Sequence, residues 1–124
     1  MPTITLTPKE NLAYRTIKMA STDAAAAVNV TGGAVTIYSI SMGNAANAAI
    51  HLCLEDSAFT GGAVGTTAPS FIMRVANGAT KTVNIPGGLT FSTGLNMWTK
   101  AEAGTAGTTA PAGGTVTVYF TTSI

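Results

Sequence analysis

Charge is what this chain has least of. Asp, Glu, Lys and Arg make up 9% of its 124 residues, against about 25% in an ordinary soluble domain. Six basic and five acidic side chains leave a formal net charge of +1. That balance speaks against nucleic-acid binding, which needs clustered Lys and Arg to displace counterions. It also removes the case for a basic patch held by anionic lipid. Cysteine occurs once, at Cys53, so no internal disulfide is available and a reducing cytosol is the natural place of synthesis. No apolar run approaches the roughly 18 residues of a membrane-spanning helix. The opening Met1-Pro2-Thr3-Ile4-Thr5 has neither a basic nor a strongly apolar region, so no secretory signal is expected. Large apolar residues are few as well: Leu, Ile, Val and Phe total 26. With so little net charge this composition fits a folded chain with a thin core, helped by association, better than disorder.

What is present is small and neutral. Ala, Gly and Thr supply 57 of the 124 residues. A free monomer keeps itself dissolved with a mixed coat of Lys, Glu, Arg and Asp. A chain without that coat is expected to lie against other copies or a partner, which points to a structural or assembly protein. The length suits a single domain over residues 1–124, with 1–20 a possible N-terminal arm.

Short β-rich runs alternate with Gly, Asn, Pro and Thr clusters. Ile50 to Glu55 alternates strictly, with Ile50, Leu52 and Leu54 on one face and His51, Cys53 and Glu55 on the other. Val35–Met42, Phe71–Val75, Thr80–Ile85, Leu95–Ala101 and Thr115–Thr121 read as further strands, and Thr3–Leu6, Tyr14–Met19 and Ala26–Val30 as weaker ones. Turns are expected at Thr31-Gly32-Gly33, Gly43-Asn44, Asn77-Gly78, Pro86-Gly87-Gly88, Thr93-Gly94 and Ala112-Gly113-Gly114. Asn77-Gly78 is the best hairpin signal, because both residues tolerate positive φ. Thr7-Pro8-Lys9-Glu10 either caps a short helix through Leu12 or forms a polar turn. The pattern predicts an all-β fold, an antiparallel β-sandwich or jelly-roll-like domain with little or no helix. Its expected core comprises Ile50, Leu52, Leu54, Phe71, Met73, Val116, Val118 and Phe120. Two loops of Gly, Ala, Thr and Pro, Thr60–Ser70 and Gly104–Gly114, each contain Gly-Thr-Thr-Ala-Pro; on an assembly they are placed to reach a neighbour.

Catalytic, cofactor and metal chemistry find little support. His51, Cys53 and Glu55 share a strand face, but neighbours on such a face stand about 7 Å apart, and a closed zinc site needs four ligands where the chain has no second His or Cys. The plainer reading is a polar outer face with a buried thiol. No Gly-x-Ser-x-Gly elbow accompanies the single His. Glu55 and Asp56 are adjacent and point to opposite faces of a strand, so they do not form a carboxylate pair. Gly61 to Thr67 lacks the Gly-Lys-Ser/Thr ending of a phosphate loop and reads as an inter-strand loop. Trp98, Tyr14, Tyr38 and Tyr119 suggest either a sugar-stacking platform or core and intersubunit aromatics, the latter favoured. Arg74 and Lys100 interrupt apolar strands and are candidates for salt bridges to a partner. No catalytic, cofactor-binding or metal residue is assigned, and no enzyme activity or small-molecule substrate is expected.

One wider pattern runs through the C-terminal part of the chain: Leu52–Leu54, Gly65–Pro69, Phe71–Val75, Pro86–Gly88, Phe91–Leu95, Met97–Glu102 and Val116–Phe120. It resembles small virion proteins of tailed bacteriophages, and among them the capsid decoration or cement proteins. The loop before the last strand departs from the resemblance, since Gly104–Gly114 is uncharged where those proteins often carry Asp or Asn. The resemblance implies a non-enzymatic homo-oligomer, often a trimer, made in the host cytoplasm and seated on the outer capsid surface. There it clamps neighbouring subunits of the major capsid protein. A phage tail, baseplate or head-fibre component and a carbohydrate-binding adhesive module are the competing expectations.

Overall fold

The computed structural model describes residues 14–28, 30–57 and 64–123. Their seven strands are β1 (Tyr14–Met19), β2 (Val35–Asn44), β3 (Ile50–Asp56), β4 (Phe71–Val75), β5 (Thr80–Phe91), β6 (Leu95–Lys100) and β7 (Val116–Ser123). Two antiparallel sheets result, one of four strands in the order β1-β7-β2-β5 and one of three in the order β4-β3-β6. The fold is an all-β sandwich, as the alternation predicts. Among the described residues its seven strands fall short of the eight of a jelly roll. The Thr3–Leu6 strand and the Thr7–Glu10 cap lie outside the described residues.

Alternation dictates how the sheets meet. Ile37, Ile40 and Met42 of β2, Val116, Val118 and Phe120 of β7, and Phe91 of β5 turn inward from the larger sheet. Ile50, Leu52 and Leu54 of β3, Met73 and Val75 of β4, and Leu95 and Met97 of β6 turn inward from the smaller one. The expected core is therefore buried, except that Phe71 is only partly covered at its edge. Asn44 pins the sheets together. Buried at the end of β2, its amide donates to the Val75 and Ala48 carbonyls (3.0 and 2.9 Å), and its Oδ1 accepts from the Ala46 N–H at 2.9 Å.

Three connections differ from the sequence reading. Asn77-Gly78 does form a turn, with Gly78 at φ +73°, but it joins strands of different sheets. Gly78 N–H bonds to the Asn44 carbonyl, and Asn44 N–H to the Ala79 carbonyl, so the chain leaving the turn is drawn onto β2 instead of folding back on β4. Pro86-Gly87-Gly88 is not a turn between strands but an irregularity within β5. The pairing with β2 jumps from Ser39↔Asn84 to Ile37↔Leu89, so the extra residues bulge opposite Tyr38. Gly88, at φ +84°, lies under Tyr38, and a Cβ there would come within 3.0 Å of Cε1 of the ring. The described residues of Ala26–Val30 form a strap, not a full strand. It bonds Ala27 to Met97 in both directions and Val30 N–H to the Leu95 carbonyl, closing the free edge of β6.

Candidate functional site

The outer face of the three-stranded sheet carries most of the chemistry-bearing residues. Pairing places His51 opposite Arg74 and Lys100, Cys53 opposite Ile72 and Trp98, and Glu55 opposite Asn96. Outward residues of a sheet are normally wet, yet His51, Cys53, Glu55, Asn96, Trp98 and Lys100 are all buried. At the Lys100 end the cause is visible: the Gly104–Gly114 loop folds back onto the sheet instead of reaching away. Lys100 Nζ donates to the Thr105 and Gly107 carbonyls, each at 3.0 Å. Ala101 N–H bonds to the Thr109 carbonyl at 2.9 Å, and Thr109 N–H donates to the Glu102 carboxylate at 3.1 Å. The far end of the loop is held by Asn47 N–H on the Ala112 carbonyl and Ala45 N–H on the Thr115 carbonyl. Lys100 is thus a loop anchor, not an exposed partner for a salt bridge. Arg74 remains exposed on the edge strand.

Among the described residues, no group of three or more His, Cys, Asp or Glu side chains is close enough to hold a metal ion. Burial pushes the Cys53 thiol up, opposed by the Lys100 charge, so it is a poor thiolate. His51 Nδ1 and Trp98 Nε1 are buried and meet no hydrogen-bond partner among the described residues. Trp98 is 1% exposed, which removes it from any sugar-stacking platform: the same sheet face that presents it is covered.

Asp56 has a different task from that of its neighbour Glu55. At the end of β3 its carboxylate accepts from the N–H groups of Ser92, Thr93 and Gly94 at 3.0, 2.9 and 3.2 Å, and from the Ser92 hydroxyl at 3.1 Å. It thereby organises the β5–β6 turn. Desolvation works against the ionised form, but these hydrogen bonds outweigh it and hold the carboxyl below the usual carboxylate range. Of the phosphate-loop stretch, Gly61–Ala63 lie outside the described residues, and Val64–Thr66 form a turn in which Gly65 lies against Ala106 and Thr108.

The outer face of the four-stranded sheet is the opposite kind of surface. Ile17, Ile37, Ile40, Val118 and Phe120 point into the core, so the alternate positions point out. All three tyrosines of the chain fall on this outer side: Tyr14 on β1, Tyr119 on β7 and Tyr38 on β2. Tyr14 and Tyr38 meet edge to face, with centroids 5.0 Å apart and planes at 89°. Lys18 Nζ stands 5.9 Å from the centroid of Tyr119. Hydroxyls fill much of the remainder and bond to one another, Thr36 with Thr90 at 3.1 Å and Thr82 with Ser41 at 3.0 Å. Lys18 is the one charged group facing outward here among the described residues. Strand parity is readable in the sequence except at the bulge of β2, and the strand order that gathers three distant tyrosines is not readable at all.

No protein-family model matches the chain, and neither the curated proteins nor the solved structures contain a match to it.

Proposed function

We propose that the chain is a non-enzymatic virion protein that decorates the outer surface of a phage capsid and stabilises it by clamping neighbouring major capsid subunits, as a homo-oligomer of trimer type. One observation carries the reading. The chain has few ionic groups to begin with, and the fold withdraws some of them: Lys100 and Glu55 are buried, and Asp56 is committed to its turn. The coat that keeps a free domain dissolved is thinner in the folded molecule than in the sequence. A surface of that kind suits permanent cover by protein. The single cysteine is buried and the strap closes one sheet edge, which suits a structural block better than a reactive one. A protein that binds only the assembled shell stabilises it by mass action, about 2.7 kcal/mol per site at a free concentration one hundred times the dissociation constant.

The test is thermal. Phage heads freed of this protein should release their DNA at a lower temperature than intact heads, and adding the chain back should restore the higher value. Equal heat resistance with and without it refutes the proposal. Burial of Trp98 takes support from the carbohydrate-binding alternative, because its largest aromatic side chain is out of reach.

A further inference from the structure

We infer that the outer face of the four-stranded sheet is the surface by which the chain seats on its shell, and that the matching ground is a protein surface poor in charge except for a carboxylate that meets Lys18. This rests on the decoration reading and adds to it which face does the work.

Composition is the first reason. Interface cores are enriched in tyrosine and depleted of Lys, Glu and Asp. Tyrosine supplies broad amphipathic contact for the freezing of only two side-chain torsions. Tyr119 is 42% exposed and Tyr14 50%, on a face that carries one charge and no acid among the described residues. The second reason is preorganisation. The Thr36–Thr90 and Thr82–Ser41 hydrogen bonds and the edge-to-face pair of Tyr14 and Tyr38 fix these side chains before any partner arrives. Gly88 is held in a left-handed conformation beneath the Tyr38 ring, so that ring lies close on the sheet. Side chains already ordered lose little entropy on docking.

Charge decides between occupants. The face carries Lys18 and no acid among the described residues, so a second copy seated on it face to face would bring Lys18 no carboxylate. A shell that repeats its sites, met by several copies at once, adds strength through multivalency. A sugar chain fits less well. The Tyr14 and Tyr38 rings are perpendicular, not a coplanar shelf, and the hydroxyls that would bind a glycan are partly used on each other.

The experiment titrates heads freed of the protein with the wild-type chain, Tyr119→Glu, Tyr119→Ser and Ile72→Glu. Ile72 is equally exposed (42%) but on the other sheet, and circular dichroism verifies that each variant is folded. The expected result is binding by the wild type and Ile72→Glu within about twofold of each other, with both Tyr119 variants at least about tenfold weaker. Equal binding by all four chains overturns the assignment of the face while leaving decoration standing. Loss only in Ile72→Glu moves the contact to the other sheet. If the wild type fails to bind heads, decoration itself falls and this inference with it; retention on a neutral-glycan array would then assign the face to sugar.

Discussion

Asp56 offers the sharpest test of how this sandwich is held. Its carboxylate accepts three backbone N–H groups and a hydroxyl from a single turn, Ser92 to Gly94. Hydrogen bonds to a charged group are worth about 1.5–3 kcal/mol each in favourable settings. Here the site is partly open to water, which screens the charge and lets freed N–H groups find new partners. Replacement by Ala should therefore cost about 2 kcal/mol in all, not the sum of four bonds. For a chain of this size that is roughly 6–12 °C in Tm. The sign of the pH dependence follows from the depressed carboxyl. A group whose pKa is lower folded than unfolded contributes fully above its unfolded value, about 3.9 for Asp. That contribution is lost as pH falls through the folded value. Urea unfolding of wild type and Asp56→Ala should show the full gap at about pH 7 and a gap shrinking toward about pH 2. No gap at neutral pH, or one that stays constant into acid, would refute the role assigned to this carboxylate.

Other sites give independent checks. Asn44→Ala strands the Val75 and Ala48 carbonyls and the Ala46 N–H in a buried junction, and should lower stability by about 2–3 kcal/mol in denaturant melts. Lys100→Met keeps the apolar stem but removes both anchors of the Gly104–Gly114 loop. Amide exchange there should accelerate while the core strands keep their protection. Cys53, buried with its thiol pushed up, should resist maleimide in the native protein and react in urea; rapid native labelling would contradict its burial.

Much of this fold was legible because strand alternation is a local property. Ile50, Leu52 and Leu54 declare their inward face within a single strand, and so do Val116, Val118 and Phe120. Buried Ile37, Ile40 and Met42 were legible as a strand but not as core, because Tyr38 is the extra residue of a bulge and breaks the parity. The Asn77-Gly78 turn was legible as a turn. Its destination was not, because local φ preferences say where a chain bends and nothing about which strand will receive it.

The sequence by itself determined the class: short alternating runs between Gly and Asn punctuation, a scarcity of charge, one cysteine, and strands with one apolar face each. Only the tertiary structure decided which second faces stay dry and which aromatics stand together. His51, Cys53, Glu55 and Trp98 look like a wet face until distant parts of the chain are brought over it, and Lys100 looks like a surface cation until loop carbonyls close on it. Tyr14, Tyr38 and Tyr119 become one surface only through the order β1-β7-β2. The physical reason is the same in each case. Which way a side chain points is set by its immediate neighbours in sequence, but what it meets there is set by how the rest of the chain folds, from the loop that follows Lys100 to strands tens of residues away.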